Sequence, residues 1–126
     1  MAIVGIGIDL VEAERLARFV GNRGPEFERW TCTPAEIGRL DRAPDRIAAL
    51  AAWFAAKEAC LKALGTGSST EVSLRDIEVV PDKHGGASLR LHGGAKRLAR
   101  ARGVASMQLT FSDAEGVVAA FVVLEG

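Results

Sequence analysis

Residues 46–64, RIAALAAWFAAKEACLKAL, run without glycine or proline, are rich in alanine and leucine, and stop at Gly65. Alanine and leucine favour helix and glycine commonly follows a helix end, so this stretch predicts one long helix. At about 100° per residue, Ile47, Leu50, Ala51, Phe54 and Leu61 fall on one apolar stripe, with Glu58 just inside its edge. A carboxylate in that position needs a cation, a metal ion or an open cleft, because desolvating it unpaired is costly. Lys62, four residues on, could simply pair with it at the helix surface.

Outward from this helix the chain alternates between short helices and strands. Upstream, AIVGIGIDL (2–10) reads as a buried strand with Val4, Ile6, Ile8 and Leu10 on one face. Its other face holds Ile3, Gly5, Gly7 and Asp9 and is nearly bare, so other atoms can approach the backbone closely. A helix is expected to start near Val11 and stop at Gly21, Asn22 to Pro25 reads as a turn, and Thr33-Pro34-Ala35-Glu36 has the order of a capping box opening a helix to about Leu40. Downstream come a strand at 77–80, a hairpin turn at 81–86 and the alternating Leu89 and Leu91. A helix at 94–102 follows, then an alternating strand around Met107 to Phe111, a turn at 113–116 and VVAAFVVL (117–124), apolar on both faces. That last strand must be central in its sheet or covered by another subunit. The order of elements predicts an α+β fold, a single domain over residues 1–126 in which a largely antiparallel sheet packs against the long helix.

Sixteen Lys and Arg balance 16 Asp and Glu, so the chain lacks the general positive field of a nonspecific nucleic-acid binder and any anion site must be local. With 48% hydrophobic and 25% charged residues it has the composition of a folded protein. The apolar start meets Asp9 at once and has no basic flank, which predicts neither a targeting segment nor a membrane span. Cys32 and Cys60 are far apart and only His84 and His92 could join them, so a disulfide framework or zinc site is not expected and a cytoplasmic location is.

Three features could carry chemistry, and each has a plainer alternative. Asp9 could cap the following helix, or act with Glu58 as a hard oxygen ligand for Mg²⁺ that keeps positions open for water and phosphate. Lys62 could pair with Glu58, or neutralise phosphate charge. Gly65-Thr66-Gly67 could be a helix stop, or let a ligand approach the backbone.

GIGIDLVE (5–12) followed by WFAAKEACLKALGTG (53–67) resembles the paired signatures of the 4′-phosphopantetheinyl transferases of the short holo-acyl-carrier-protein synthase type. Thr33-Pro34-Ala35-Glu36, Asp76-Ile77-Glu78-Val79 and LTFSDAEGVVAAFVVLE (109–125) are similar to further segments of that family, in order along essentially the whole chain. The resemblance implies Mg²⁺-dependent transfer of the phosphopantetheine arm of coenzyme A to a serine of an acyl carrier protein of fatty-acid or polyketide biosynthesis, releasing 3′,5′-ADP. It implies Asp9 and Glu58 as metal ligands, Glu58 or a metal-bound water as acceptor of the serine proton, and Lys62 beside the phosphates. It also implies Lys57 as a phosphate or structural contact, with Gly65, Thr66 and Gly67 near the coenzyme. Carrier docking on Arg15 and Arg18, extended by Arg23, and a homotrimer with sites between subunits are further implications. Trp53 and Asp113 stand where the family usually has arginine and histidine, which implies an altered grip on the nucleotide end and leaves as the alternative a degenerate carrier-binding or assembly subunit, or one recruited to other chemistry in a biosynthetic pathway.

Overall fold

The computed structural model describes residues 1–67 and 72–126. A strand β1 (Ile3–Glu12) leads into helices α1 (Ala13–Val20), α2 (Gly24–Thr31), α3 (Pro34–Leu40) and the long α4 (Arg46–Leu64). Then follow β2 (Ile77–Pro81), β3 (Ala87–Leu91), helix α5 (Gly93–Ala101), β4 (Ser106–Ala114) and β5 (Val117–Glu125). β1, β5 and β4 form an antiparallel sheet in that order, and β2 and β3 form a separate antiparallel hairpin. The α+β class expected from the sequence is the one observed.

The long helix behaves as its composition demands. Asp45 caps its start by accepting the Ala48 amide at 3.1 Å, and Gly65 closes it in the left-handed region at φ +79°. Leu50, Ala51, Ala55, Ala56, Ala59, Cys60, Leu61 and Leu64 are all buried, so α4 is covered on most of its circumference rather than along one stripe. Ile47 and Phe54, expected in the stripe, are only partly buried.

β1 packs on this helix through its bare face. A Cβ added to Gly7 would lie 1.9 Å from the Ala59 carbonyl oxygen, and one added to Gly5 would lie 1.9 Å from that of Ala63. Two strand residues span about 6.6 Å and four helix residues about 6 Å, so alternate strand positions stay in step with successive helical turns. The β5 residues Val118, Ala120, Val122 and Leu124 are buried on the same face.

The expectation of a buried apolar face on β1 is corrected in the isolated chain. Ile6 is 62% exposed, Ile8 44% and Leu10 66%, with Phe121 of the central strand at 45% beside Ile8. Because side chains alternate and the glycine face is turned inward to meet the helix, the branched face is necessarily turned outward.

Two local readings also change. Strand β1 continues to Glu12, so Asp9 pairs with Ala120 inside the ladder and caps no helix. Residues read as a turn at Pro25 open α2, for which proline in the first turn is a start signal.

Replacing Gly7 by alanine forces its methyl group onto a backbone carbonyl, which has no rotamer to escape into. The Gly7→Ala variant should lose at least about 2 kcal/mol in urea unfolding, whereas Gly38→Ala, with nothing within 4 Å of the added carbon, should lose none.

Candidate active site

Glycine packing delivers Asp9 to the face of α4 that carries Glu58 and Lys62. The Lys62 ammonium donates to the Asp9 carboxylate at 3.1 Å and to the Ile8 carbonyl at 2.9 Å. Lys62 therefore bridges helix to strand rather than forming the helix-surface pair with Glu58. Asp9 is one-fifth exposed and Lys62 about half exposed, so the pair stands at the edge of solvent.

Glu58 is half-buried and makes no ion pair or hydrogen bond among the described residues. Burial first, and then the neighbouring Asp9 charge, push its carboxyl above the usual carboxylate range, while Lys62 pulls the other way. The two acids thus sense each other's charge across the helix–strand contact. Among the described residues no cluster of three or more His, Cys, Asp or Glu side chains surrounds them. Two carboxylates with one side open are a donor set that fits Mg²⁺, which commonly takes one or two protein oxygens and fills its octahedron with water and phosphate oxygens.

Lys57 is elsewhere. The phosphate contact expected of it gives way to the structural one, because its side chain is 0% exposed. Its ammonium donates to Glu36 Oε1 at 2.8 Å and to the carbonyls of Leu74 and Ile77. Glu36 also accepts the Thr33 amide at 2.8 Å and the Val79 amide at 2.8 Å, completing the capping box of α3. The pair fastens α3, α4 and the start of β2 to one another. Sequence reasoning found Glu36 as a cap and Lys57 as a motif residue, but no local pattern signals that the two meet. Successive residues, about 100° apart on the helix, thus meet different surroundings: Lys57 the interior, Glu58 the neighbourhood of Asp9.

The three arginines implied for carrier docking lie on α1 and at the start of α2. Arg15 lines a cavity of about 470 Å³ together with Asp9, Leu10, Glu12, Phe19 and Phe54. Arg18 pairs with Glu14 at 3.3 Å on the exposed face of α1. Arg23 lies beyond α1, at the start of α2, in a groove with Phe19, Phe27 and Trp30. Gly65 and Thr66 form the exit of α4, with Thr66 N donating to the Leu61 carbonyl and Gly67 following. Trp53 is partly buried with the Arg39 guanidinium over its ring, 5.8 Å from the centroid. Asp113 is exposed near the end of β4, at a cavity shared with Ala13, Ala48 and Ala52. Both cysteines are free, and burial pushes the Cys60 thiol up to about 12, which removes it as a nucleophile.

A sequence model of the 4′-phosphopantetheinyl transferase superfamily matches residues 5–122. This chain belongs to that superfamily. Among relatives of the transferases, the holo-[acyl-carrier-protein] synthase of Halorhodospira halophila is 45% identical over 122 residues, covering 97% of both chains. That of Vibrio atlanticus is 39% identical and covers 99% of both. The crystal structure of the Neisseria meningitidis synthase superposes with a TM-score of 0.92 at 35% identity, over 99% of this chain and 100% of that one. The Helicobacter pylori synthase, solved in complex with coenzyme A, superposes at 0.82 with 29% identity, over 95% of this chain and 99% of the other. No helix among the described residues of this transferase is long and apolar enough to cross a membrane.

Removing one partner of a fully buried ion pair strands the other. Lys57→Met should therefore cost about 3–5 kcal/mol of unfolding free energy while leaving the Michaelis constant for coenzyme A unchanged in whatever fraction stays folded. A raised Michaelis constant at unaltered stability would instead assign Lys57 to the phosphates.

Proposed function

We propose that this chain transfers 4′-phosphopantetheine from coenzyme A to a serine hydroxyl of an acyl carrier protein, using Asp9, Glu58 and Lys62 as its catalytic cluster. The observation that carries the reading is the convergence of Asp9 and Lys62, from elements far apart in sequence, beside a half-buried Glu58 whose proton affinity is raised. Membership of the superfamily and full-length similarity to holo-[acyl-carrier-protein] synthases supply the substrate class.

In the reaction the serine oxygen forms a bond to the phosphorus bearing pantetheine, the bond from that phosphorus to the bridging oxygen breaks, and 3′,5′-ADP departs with the bond electrons. A Mg²⁺ ion held by Asp9 and Glu58 would supply charge withdrawal from the pyrophosphate. Lys62 Nζ, already a donor to Asp9, lies where it can turn a hydrogen bond toward a phosphate oxygen and offset charge on the leaving group. The serine proton passes to the Glu58 carboxylate, whose basicity burial raises, or to a water beside it.

Arg15, Arg18 and Arg23 are the docking residues in this reading, offering cations along the approach to Asp9 to an acidic carrier surface. A homotrimer is supported by the outward face of the sheet, where Ile6, Ile8, Leu10 and Phe121 form an apolar patch that a second copy would cover. Cytoplasmic residence fits the two free cysteines.

Three measurements check this reading. Incubation with coenzyme A, Mg²⁺ and apo carriers should add the mass of one phosphopantetheine arm to a cognate carrier; no gain on any carrier would remove the assignment. Glu58→Gln should lower turnover at least about 100-fold, as expected for a general base, with the melting temperature unchanged. Native mass spectrometry should show three chains, and Ile8→Glu should release single chains; a monomeric parent would refute the trimer.

A further inference from the structure

The Arg102 guanidinium lies over the glycine exit of α4 and is unengaged among the described residues. A Cβ built on Gly65 would sit 2.8 Å from one terminal nitrogen of Arg102, with the guanidinium carbon at 3.4 Å and the other terminal nitrogen at 3.5 Å. The guanidinium thus approaches the glycine with one terminal nitrogen foremost, in space that the Cβ of any other residue would fill. Arg102 is exposed, follows the last residue of α5, and makes no side-chain hydrogen bond or ion pair among the described residues. The exit it covers lies one helical turn beyond Lys62, at the segment Gly65–Gly67.

Its charge, and the charge of the segment that carries it, give the position a chemical meaning. At the catalytic cluster one ammonium faces two carboxylates, so the cluster repels a polyanion until cations are added. From Lys83 to Ser112 the chain holds Lys83, Arg90, Lys96, Arg97, Arg100 and Arg102 and no Asp or Glu, although the protein as a whole is neutral. Arg102 is the member of this acid-free run that reaches the α4 exit. A guanidinium with unspent donors beside exposed backbone is suited to a phosphate, which it can grip through two parallel N–H groups.

Resting on the transferase reading above, we propose that Arg102 binds a phosphate of the adenosine 3′,5′-bisphosphate portion of coenzyme A at the Gly65 exit. The role is binding, not chemistry: Arg102 holds the nucleotide while Lys62 and the carboxylates act on the reacting phosphorus. A neighbour acting only on the negative end of α4 would also favour a cation here, and the two roles separate experimentally.

Binding of 3′,5′-ADP is measured by calorimetry in the presence of EDTA, so that no metal contributes, for the parent protein, Arg102→Leu and Arg102→Lys, with melting temperatures in parallel. Arg102→Leu should weaken binding at least tenfold, Arg102→Lys should recover part of the loss, and the parent should still modify its carrier. If Arg102→Leu binds 3′,5′-ADP within twofold of an active parent, with or without a lower melting temperature, the proposal is overturned and the transferase reading stands. If the parent neither binds 3′,5′-ADP nor modifies any carrier, both are overturned.

Discussion

Backbone-to-backbone contact between β1 and α4 is the constraint from which the site follows. Gly5 and Gly7 leave room only for the carbonyls of Ala63 and Ala59, and this closeness fixes how the strand lies along the helix. Asp9 is the next residue on the same strand face, so its position follows from the glycines before it. With the strand seated, the Lys62 ammonium reaches both the Ile8 carbonyl and the Asp9 carboxylate. A side chain at position 7 would separate strand from helix, and with it one carboxylate from the other.

A second restraint acts from the opposite side of the helix. The buried Lys57–Glu36 pair is satisfied by backbone groups of Thr33, Leu74, Ile77 and Val79, which removes most of the penalty of burying two charges. Because those partners come from different elements, the pair sets how α4 can rotate about its axis. A rotation that brought Lys57 to solvent would carry Glu58 away from Asp9. The adjacent lysine and glutamate therefore divide the work: one fixes the orientation of the helix and the other uses it.

Much of this was legible in the sequence because it is local. The helix at 46–64 with its Gly65 stop, the capping box at Thr33, the hairpin at 81–86 and the central last strand are all written in periodicity and turn chemistry. The bare face of β1 was also readable as a site of close approach. Which face the helix would choose was not, since four branched residues on the other face suggested a core. The glycine face wins because only it admits the helix backbone. Likewise, no spacing rule pairs Glu36 with Lys57, or Gly65 with Arg102; those contacts exist only after the chain has closed on itself.

The choice of the glycine face has a consequence beyond the monomer. Turning Gly5, Gly7 and Asp9 inward leaves Ile6, Ile8 and Leu10 on the outer face, in register with Val123, Phe121 and Ala119 of the central strand. Alternation allows no other result: a strand cannot bring its acid to the helix and also bury its branched residues there. The residue pattern that brings Asp9 to Lys62 therefore also creates an apolar surface on the reverse of the same strand. The delivery of the Asp9 carboxylate to the helix and the outward apolar face of the sheet have a single origin in the alternation of β1.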